Sequence, residues 1–284
     1  MILEAYHRLA RGSMPMPQMS RSIAQSFADL RGHGIGLVPF LPAGFPDLGT
    51  TAATLKTLDA IAPAAIEIGF PFSDPIADGP TIQQAFTAAL ARNVKVSDVF
   101  AMVRDAARQI STPLLAMLSY SIVFRYGADR FFADARAAGF AGLIIPDLPP
   151  PEANNVCRQI RAAGLDTILL IAPTTTPQRR REIADLCSGF VYYLAVSGIT
   201  GARDQLPPDL AENLRQLRAI TDRPICVGFG ISKPNHLAAL ANIADGAIVG
   251  SAIVQRMIDS SSAGPTAIAK LITDYCQSLL PQSH

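Results

Sequence analysis

The stretch Ile66-Glu67-Ile68-Gly69 places a carboxylate inside an apolar run. Successive side chains of an extended strand point to opposite faces, so the two isoleucines go one way and Glu67 the other. An interior carboxyl group loses water, which disfavours its charged form and raises its pKa. Such a residue is either a structural carboxylate held by hydrogen bonds or a group tuned to move protons near neutral pH. Eleven residues further on, Asp78 precedes Gly79-Pro80 and a helical pattern. Its spacing fits a helix N-cap with proline in the first turn. It equally fits a second acid at the same strand end, and two carboxylates in unlike environments are the usual provision for separate acid and base roles. Asp74, before Pro75, reads as a turn residue.

Three other stretches are suited to an anion. They are Ser197-Gly198-Ile199-Thr200-Gly201, Gly228-Phe229-Gly230-Ile231-Ser232, and Gly250-Ser251 at the start of a helical pattern. Glycines let backbone N–H groups approach a phosphate, and a helix start adds its dipole. A tight turn explains any one of these loops, but three together point to phosphate. The chain has no HExxH, nucleophile elbow or P-loop. Ser73 and Ser197 have no histidine beside them, which argues against a serine hydrolase. His7, His33, His236 and His284 are isolated and read as solvent-facing or loop residues, so no metal site is expected. Cys157, Cys187, Cys226 and Cys276 lie 30 or more residues apart and read as small buried hydrophobes in a reducing cytosol.

The elements that must hold these groups are short apolar runs, each followed by a turn and a helical pattern. The runs are 36–41, 64–69, 113–118, 142–146, 167–172, 190–195, 225–230 and 246–251. They are almost continuously apolar, as in parallel strands buried on both faces. Helical periodicity covers 51–62, 81–92, 99–110, 128–138, 152–163, 178–186, 209–220, 235–241, 251–258 and 266–280, with an extra helix at 21–31. Eight strands alternating with helices over about 250 residues predict a single-domain (β/α)8 TIM barrel. The helix at 99–110 is an insertion after the second strand. A doubly wound open sheet is the competing fold, disfavoured because no GxGxxG follows the first strand. Active sites of this barrel lie at the C-terminal strand ends, where Glu67, Asp78 and the glycine loops fall.

Lys and Arg number 24 against 23 Asp and Glu, a net charge of +1, which removes the electrostatic footprint of a nucleic-acid binder. No run of 18 uncharged apolar residues predicts a membrane span, and residues 1–18 lack the apolar core of a secretion signal. A cytoplasmic location is expected. Residues 1–18 read as a disordered N-terminal extension, and 19–284 as the barrel catalytic domain.

The string from Glu67 through Pro71-Phe72-Ser73-Asp74-Pro75 and Asp78-Gly79-Pro80-Thr81 to Gln83 resembles the signature of the tryptophan synthase alpha chain family. The likeness continues in LVPFLPAGFPD (37–47), IIPDLP (144–149), LIAPTTT (170–176), GFVYYLAVSGITGAR (189–203) and the stretch from VGFGIS to ADGAIVGSAIV (227–254), and runs from Met19 to about Ile258. The resemblance implies a (β/α)8 lyase that cleaves indole-3-glycerol phosphate to indole and glyceraldehyde 3-phosphate. It implies no cofactor in this chain, and a pyridoxal-phosphate beta chain as partner in an alpha2-beta2 heterotetramer. Glu67 matches the family's acid–base glutamate and Asp78 the aspartate that stabilises charge at the indole N–H. Tyr192 matches a tyrosine lining the substrate site, and Thr200 a loop-six threonine that bonds the aspartate on closure. Gly201, Gly230, Gly250 and Ser251 match the phosphate cradle, and Asp74 and Pro75 the loop that touches the beta chain.

Three positions depart from the family's usual residues: Ser121 stands for Asn, Phe45 for Asp and Ala195 for Ser. None of them is a carboxylate of the pair, and Ser121 bears on the loop facing the partner. Other readings are a different phosphate-binding barrel enzyme, a non-catalytic subunit that binds the ligand and activates a beta chain, and a free-standing indole-producing lyase.

Overall fold

The computed structural model describes residues 21–30, 34–74, 78–195, 207–228 and 230–280. Eight parallel strands follow one another around a closed barrel. They are β1 (Gly36–Pro42), β2 (Ile66–Gly69), β3 (Leu114–Met117), β4 (Phe140–Ile144), β5 (Asp166–Ile171), β6 (Val191–Leu194), β7 (Ile225–Gly228) and β8 (Gly246–Val249). The closure is made by β1, which sets Phe40 opposite Glu67 of β2 and Leu37 opposite Ala247 of β8. Side chains divide by strand alternation. Leu37, Leu41, Ile66, Ile68, Val191 and Val227 turn outward to the helices, while Val38, Leu115, Ile144, Ile168, Tyr192, Cys226 and Ile248 fill the interior. Burial on both faces is why the strands carry almost no polar residues.

The helices are α1 (Ile23–Leu30), α2 (Leu48–Asp59), α3 (Pro80–Ala91), α4 (Val96–Ala107), α5 (Tyr120–Tyr126), α6 (Ala128–Ala138), α7 (Pro150–Ala162), α8 (Pro177–Leu186), α9 (Leu210–Arg218), α10 (Pro234–Leu240), α11 (Ser251–Asp259) and α12 (Pro265–Leu279). The expected extra N-terminal helix is α1, and the expected insertion after the second strand is α4. Five helices begin on a proline, one or two residues before the start their periodicity indicates. Proline at the first helical position loses no hydrogen bond, because that N–H has no partner in the helix. The helix α5 has no counterpart in the sequence pattern. Its Tyr120, Ile122, Val123, Phe124 and Tyr126 are aromatic or β-branched and favour helix weakly. It forms between local signals: the Ser119 hydroxyl accepts the Ser121 N–H at 3.2 Å, and Gly127 ends it at φ +91°.

The lower end of the barrel, where the strands begin, is sealed. Ile23 and Phe27 of α1 join the interior cluster, Phe27 meeting Phe190 edge-on at 5.9 Å between centroids. Ser26 Oγ donates to the Ala64 carbonyl at 2.7 Å. Two acidic groups at this end are tied to the backbone of neighbouring strands. Asp59 Oδ1 accepts the Ser111 and Thr112 amides at 3.0 and 2.9 Å, and Asp245 accepts the Ile225 amide at 2.7 Å while pairing with Arg218. Solvent and ligands therefore reach the interior from the opposite end, where the strands finish.

Candidate active site

Glu67 turns into the barrel from β2, level with Phe40 of β1 and Leu115 of β3. It is 1 % exposed, and neither carboxylate oxygen has a hydrogen-bond partner among the described residues. Burial pushes its pKa up to about 8. A structural carboxylate in this fold looks like Asp59, saturated with donors. Glu67 is held by apolar walls instead, which leaves it neutral at pH 7 and free to engage a ligand.

Asp78 stands at the head of α3 without capping it. The N-cap is Gly79, which makes no side-chain cap bond, and Pro80 follows. The capping reading of Asp78 is thereby excluded. Its backbone carbonyl accepts Gln83 Nε2 at 2.7 Å, leaving the carboxylate for other use. Partial burial raises its pKa to about 6. Tyr192 enters the interior from β6, and its phenol is pushed well above its usual pKa by burial and then by the nearby charges of Glu67 and Asp78. One phenol that senses both carboxylates ties β2, its loop and β6 to one place.

Beside Phe40, the β1 residue paired with Glu67, opens a cavity of about 360 Å³. Phe40, Phe70, Phe72, Phe86 and Met117 give it an apolar, largely aromatic wall, and Asp78 lines it whereas Glu67 does not. Glycines shape this wall. A Cβ at Gly69 would lie 2.5 Å from Phe40 Cζ, and one at Gly228 would lie 2.5 Å from the Tyr192 hydroxyl. Gly228 thus makes room for an aromatic ring, a different task from the anion approach that its loop suggests in sequence. The aromatic wall carries no polar signal, so residue-type reasoning passes over it.

At the rim, Asp74 is exposed and accepts the Ser73 hydroxyl at 2.7 Å. Ser121 lies across the same cavity, with Ser119 Oγ 3.0 Å from its hydroxyl. Asp147 binds Ser119 Oγ at 2.6 Å and the Tyr120 amide at 2.7 Å, coupling the loops after β3 and β4. Sequence reasoning assigned Asp147 no role, although it sits in the IIPDLP string. Gly230 adopts φ +75°, which only glycine takes without strain. Gly250 is the N-cap of α11 and Ser251 its first residue. The first amides of α11 have no intrahelical acceptor. Pro75, Thr200 and Gly201 lie outside the described residues. One histidine differs from expectation: His236 is buried, 3 % exposed, with Nδ1 accepting the Ser232 amide at 3.3 Å. Its placement on the inner face of α10 depends on the packing of β8 and α12, not on neighbours in sequence. All four cysteines are free and buried. Among the described residues no cluster of His, Cys, Asp or Glu could hold a metal, and no helix is long and apolar enough to cross a membrane.

A closed parallel barrel with a buried glutamic acid, a partly buried aspartate and an aromatic cavity has the architecture of a (β/α)8 enzyme. Comparison with known proteins gives the family. Residues 27–280 match the family described as tryptophan synthase alpha chain. The tryptophan synthase alpha chain of Microcystis aeruginosa is 42 % identical over 260 residues, covering 91 % of this chain and 97 % of that one. That of Chloroflexus aurantiacus is 46 % identical over 241 residues, covering 84 % and 90 %. Among solved structures, the tryptophan synthase alpha-subunit of the hyperthermophile Pyrococcus furiosus superposes with a TM-score of 0.79 at 35 % identity, covering 86 % of this chain and 97 % of that one. The chain belongs to the tryptophan synthase alpha chain family. It is a lyase of tryptophan biosynthesis that cleaves indole-3-glycerol phosphate to indole and glyceraldehyde 3-phosphate.

Proposed function

We propose that Glu67 and Asp78 divide the proton work of this cleavage. The observation that carries the reading is the buried Glu67 carboxyl group with neither oxygen hydrogen-bonded, on the strand position paired with Phe40, which with Asp78 lines an apolar cavity. With a pKa of about 8, Glu67 enters the cycle protonated and gives its proton to C3 of the indole ring. The positive charge then resides at the ring nitrogen, where Asp78, ionised above about pH 6, stabilises it. Glu67, now a carboxylate in an apolar site, is a strong base and takes the proton of the glycerol hydroxyl next to the breaking bond. That oxygen becomes the aldehyde, the C–C electron pair returns to the ring as indole leaves, and Glu67 ends protonated as it began. Every step is a proton transfer or a charge stabilised by these two groups, so the reading assigns no cofactor to this chain.

The indole ring lies against Phe40, Phe70 and Phe72, with Tyr192 closing the inner side. The phosphate is taken by Gly201, Gly230, Gly250 and Ser251, where the unpaired amides of the first turn of α11 favour an anion. Thr200 bonds Asp78 when the ligand is enclosed, which excludes water and keeps Glu67 protonated. Asp74, Pro75 and Ser121 belong to the face offered to a beta chain, which would carry the pyridoxal phosphate in an alpha2-beta2 assembly in the cytoplasm. Phe124, 76 % exposed on the same helix as Ser121, supports a covered surface there. The test is indole release from indole-3-glycerol phosphate by the purified chain, with and without a beta chain. Turnover that rises on adding the beta chain supports both halves of the reading. No indole in either mixture refutes the division of roles, and turnover indifferent to the beta chain refutes the partner.

A further inference from the structure

The two halves of the phosphate cradle come from different elements, the loop after β7 and the N-terminus of α11. A side chain of the last helix, α12, touches the first directly and the second through Arg256. Tyr275 of α12 donates its hydroxyl to the Ser232 carbonyl at 2.9 Å. The N–H of the same residue is bound at 3.3 Å by His236 Nδ1 from α10. The peptide units on both sides of Ser232 are therefore held by side chains, two residues after Gly230 and its left-handed backbone. The opposite contact of Tyr275 is with α11. The Arg256 guanidinium lies over the tyrosine ring, 3.5 Å from its centroid, and Arg256 Nη1 donates to the Ala252 carbonyl at 2.8 Å in the first turn of that helix.

The helix that presents Tyr275 is itself anchored away from the cradle. Thr273 Oγ1 donates to Thr57 Oγ1 of α2 at 2.7 Å, and Thr57 Oγ1 to the Ala269 carbonyl at 3.3 Å. Tyr275 thus refers both halves of the cradle to one fixed support. An anion bound by backbone amides needs those amides pointed at it beforehand, since any freedom they keep must be lost on binding.

We infer that Tyr275 is a positioning residue for the substrate phosphate, setting the loop after β7 against the N-terminus of α11 through the Ser232 carbonyl and Arg256. This rests on the reading of Gly230, Gly250 and Ser251 as the phosphate site. Removing only the hydroxyl, in Tyr275→Phe, releases the Ser232 carbonyl and leaves the ring on Arg256. The loss of one such hydrogen bond corresponds to about a five- to tenfold weakening of phosphate binding. The dissociation constant of glycerol 3-phosphate, by calorimetry, and the KM for indole-3-glycerol phosphate should both rise by that factor. The turnover number should stay within about twofold, because the reacting atoms are elsewhere. Arg256→Gln, which removes the contact with the ring, should raise the same two constants. A Tyr275→Phe variant that binds glycerol 3-phosphate as the wild type does, or loses kcat with KM unchanged, overturns the inference. Gly250→Asp separates it from the reading beneath. If Gly250→Asp abolishes glycerol 3-phosphate binding while Tyr275→Phe binds normally, the cradle stands and Tyr275 has no part in it. If both bind normally, the cradle itself is misplaced.

Discussion

Replacing Glu67 by Gln should make the protein more stable and inactive together, by amounts that depend on pH in a defined way. In the unfolded chain this carboxyl titrates near 4.5, and in the fold near 8. Between these values the folded state holds a proton that the unfolded state has lost, so stability falls as pH rises. The slope is about 1.4 kcal/mol per pH unit for one group. At pH 7 the wild type should have lost about 3 kcal/mol relative to pH 4.5, and about 4 kcal/mol by pH 8 and above, where the curve flattens. Glutamine does not ionise, so Glu67→Gln lacks this decline. Asp78 titrates in both proteins, and its contribution cancels in the difference. Urea unfolding of the two proteins at intervals from about pH 4.5 to about pH 8.5 gives the comparison directly. A constant offset at low pH reflects the amide in place of the acid; the increase above it is the quantity predicted. Indole release should fall by about 10²-fold or more, the usual loss when an acid–base group is removed. A stability difference that stays flat with pH would mean that Glu67 is solvated and ionised in the fold. Near-wild-type indole release by the variant would remove Glu67 from the mechanism.

Wild-type kcat/KM should follow a bell between about pH 6 and about pH 8, with Asp78 ionised on the acid side and Glu67 protonated on the basic side; the two limbs report the pair as a unit. In Asp78→Asn the acid limb should disappear along with most activity, and a retained limb would assign it to another group. Gly69→Ala puts a Cβ 2.5 Å from Phe40 Cζ and 3.0 Å from Phe86 Cζ, which should cost about 1–3 kcal/mol in overpacking and raise KM as Phe40 moves into the cavity. Unchanged thermal melting would show that the ring yields freely. A chain beginning at Met19 should keep the melting temperature and activity of the full chain, and a clear drop in either would show that residues 1–18 contribute to the barrel.

The eight strands are legible without coordinates because burial on both faces leaves a local mark, a run of Val, Ile and Leu where a one-sided strand would alternate. Glu67 is legible for the same reason: a charge inside such a run has only the interior to face, and alternation with Ile66 and Ile68 decides the side. The resemblance carried by the Glu67–Gln83 string then adds the identity of the reaction, which residue types alone leave among several barrel enzymes. Other features are decided by distances across the fold. Asp78 and Gly79 are adjacent and either could cap α3; the path of the loop chooses Gly79. A glycine in sequence looks the same whether it admits a phosphate or a ring, and only the neighbouring strand shows that Gly228 faces the Tyr192 ring. His236 reads as an isolated surface residue because its partner, the Ser232 amide, is recognisable only once the loop has turned back. The support of the cradle is the extreme case, since Thr57 and Thr273 are 216 residues apart and meet at 2.7 Å. Local patterning records which face of an element is apolar, a property of one segment and water. Which polar groups meet depends on how barrel closure brings distant segments together, and no single segment records that.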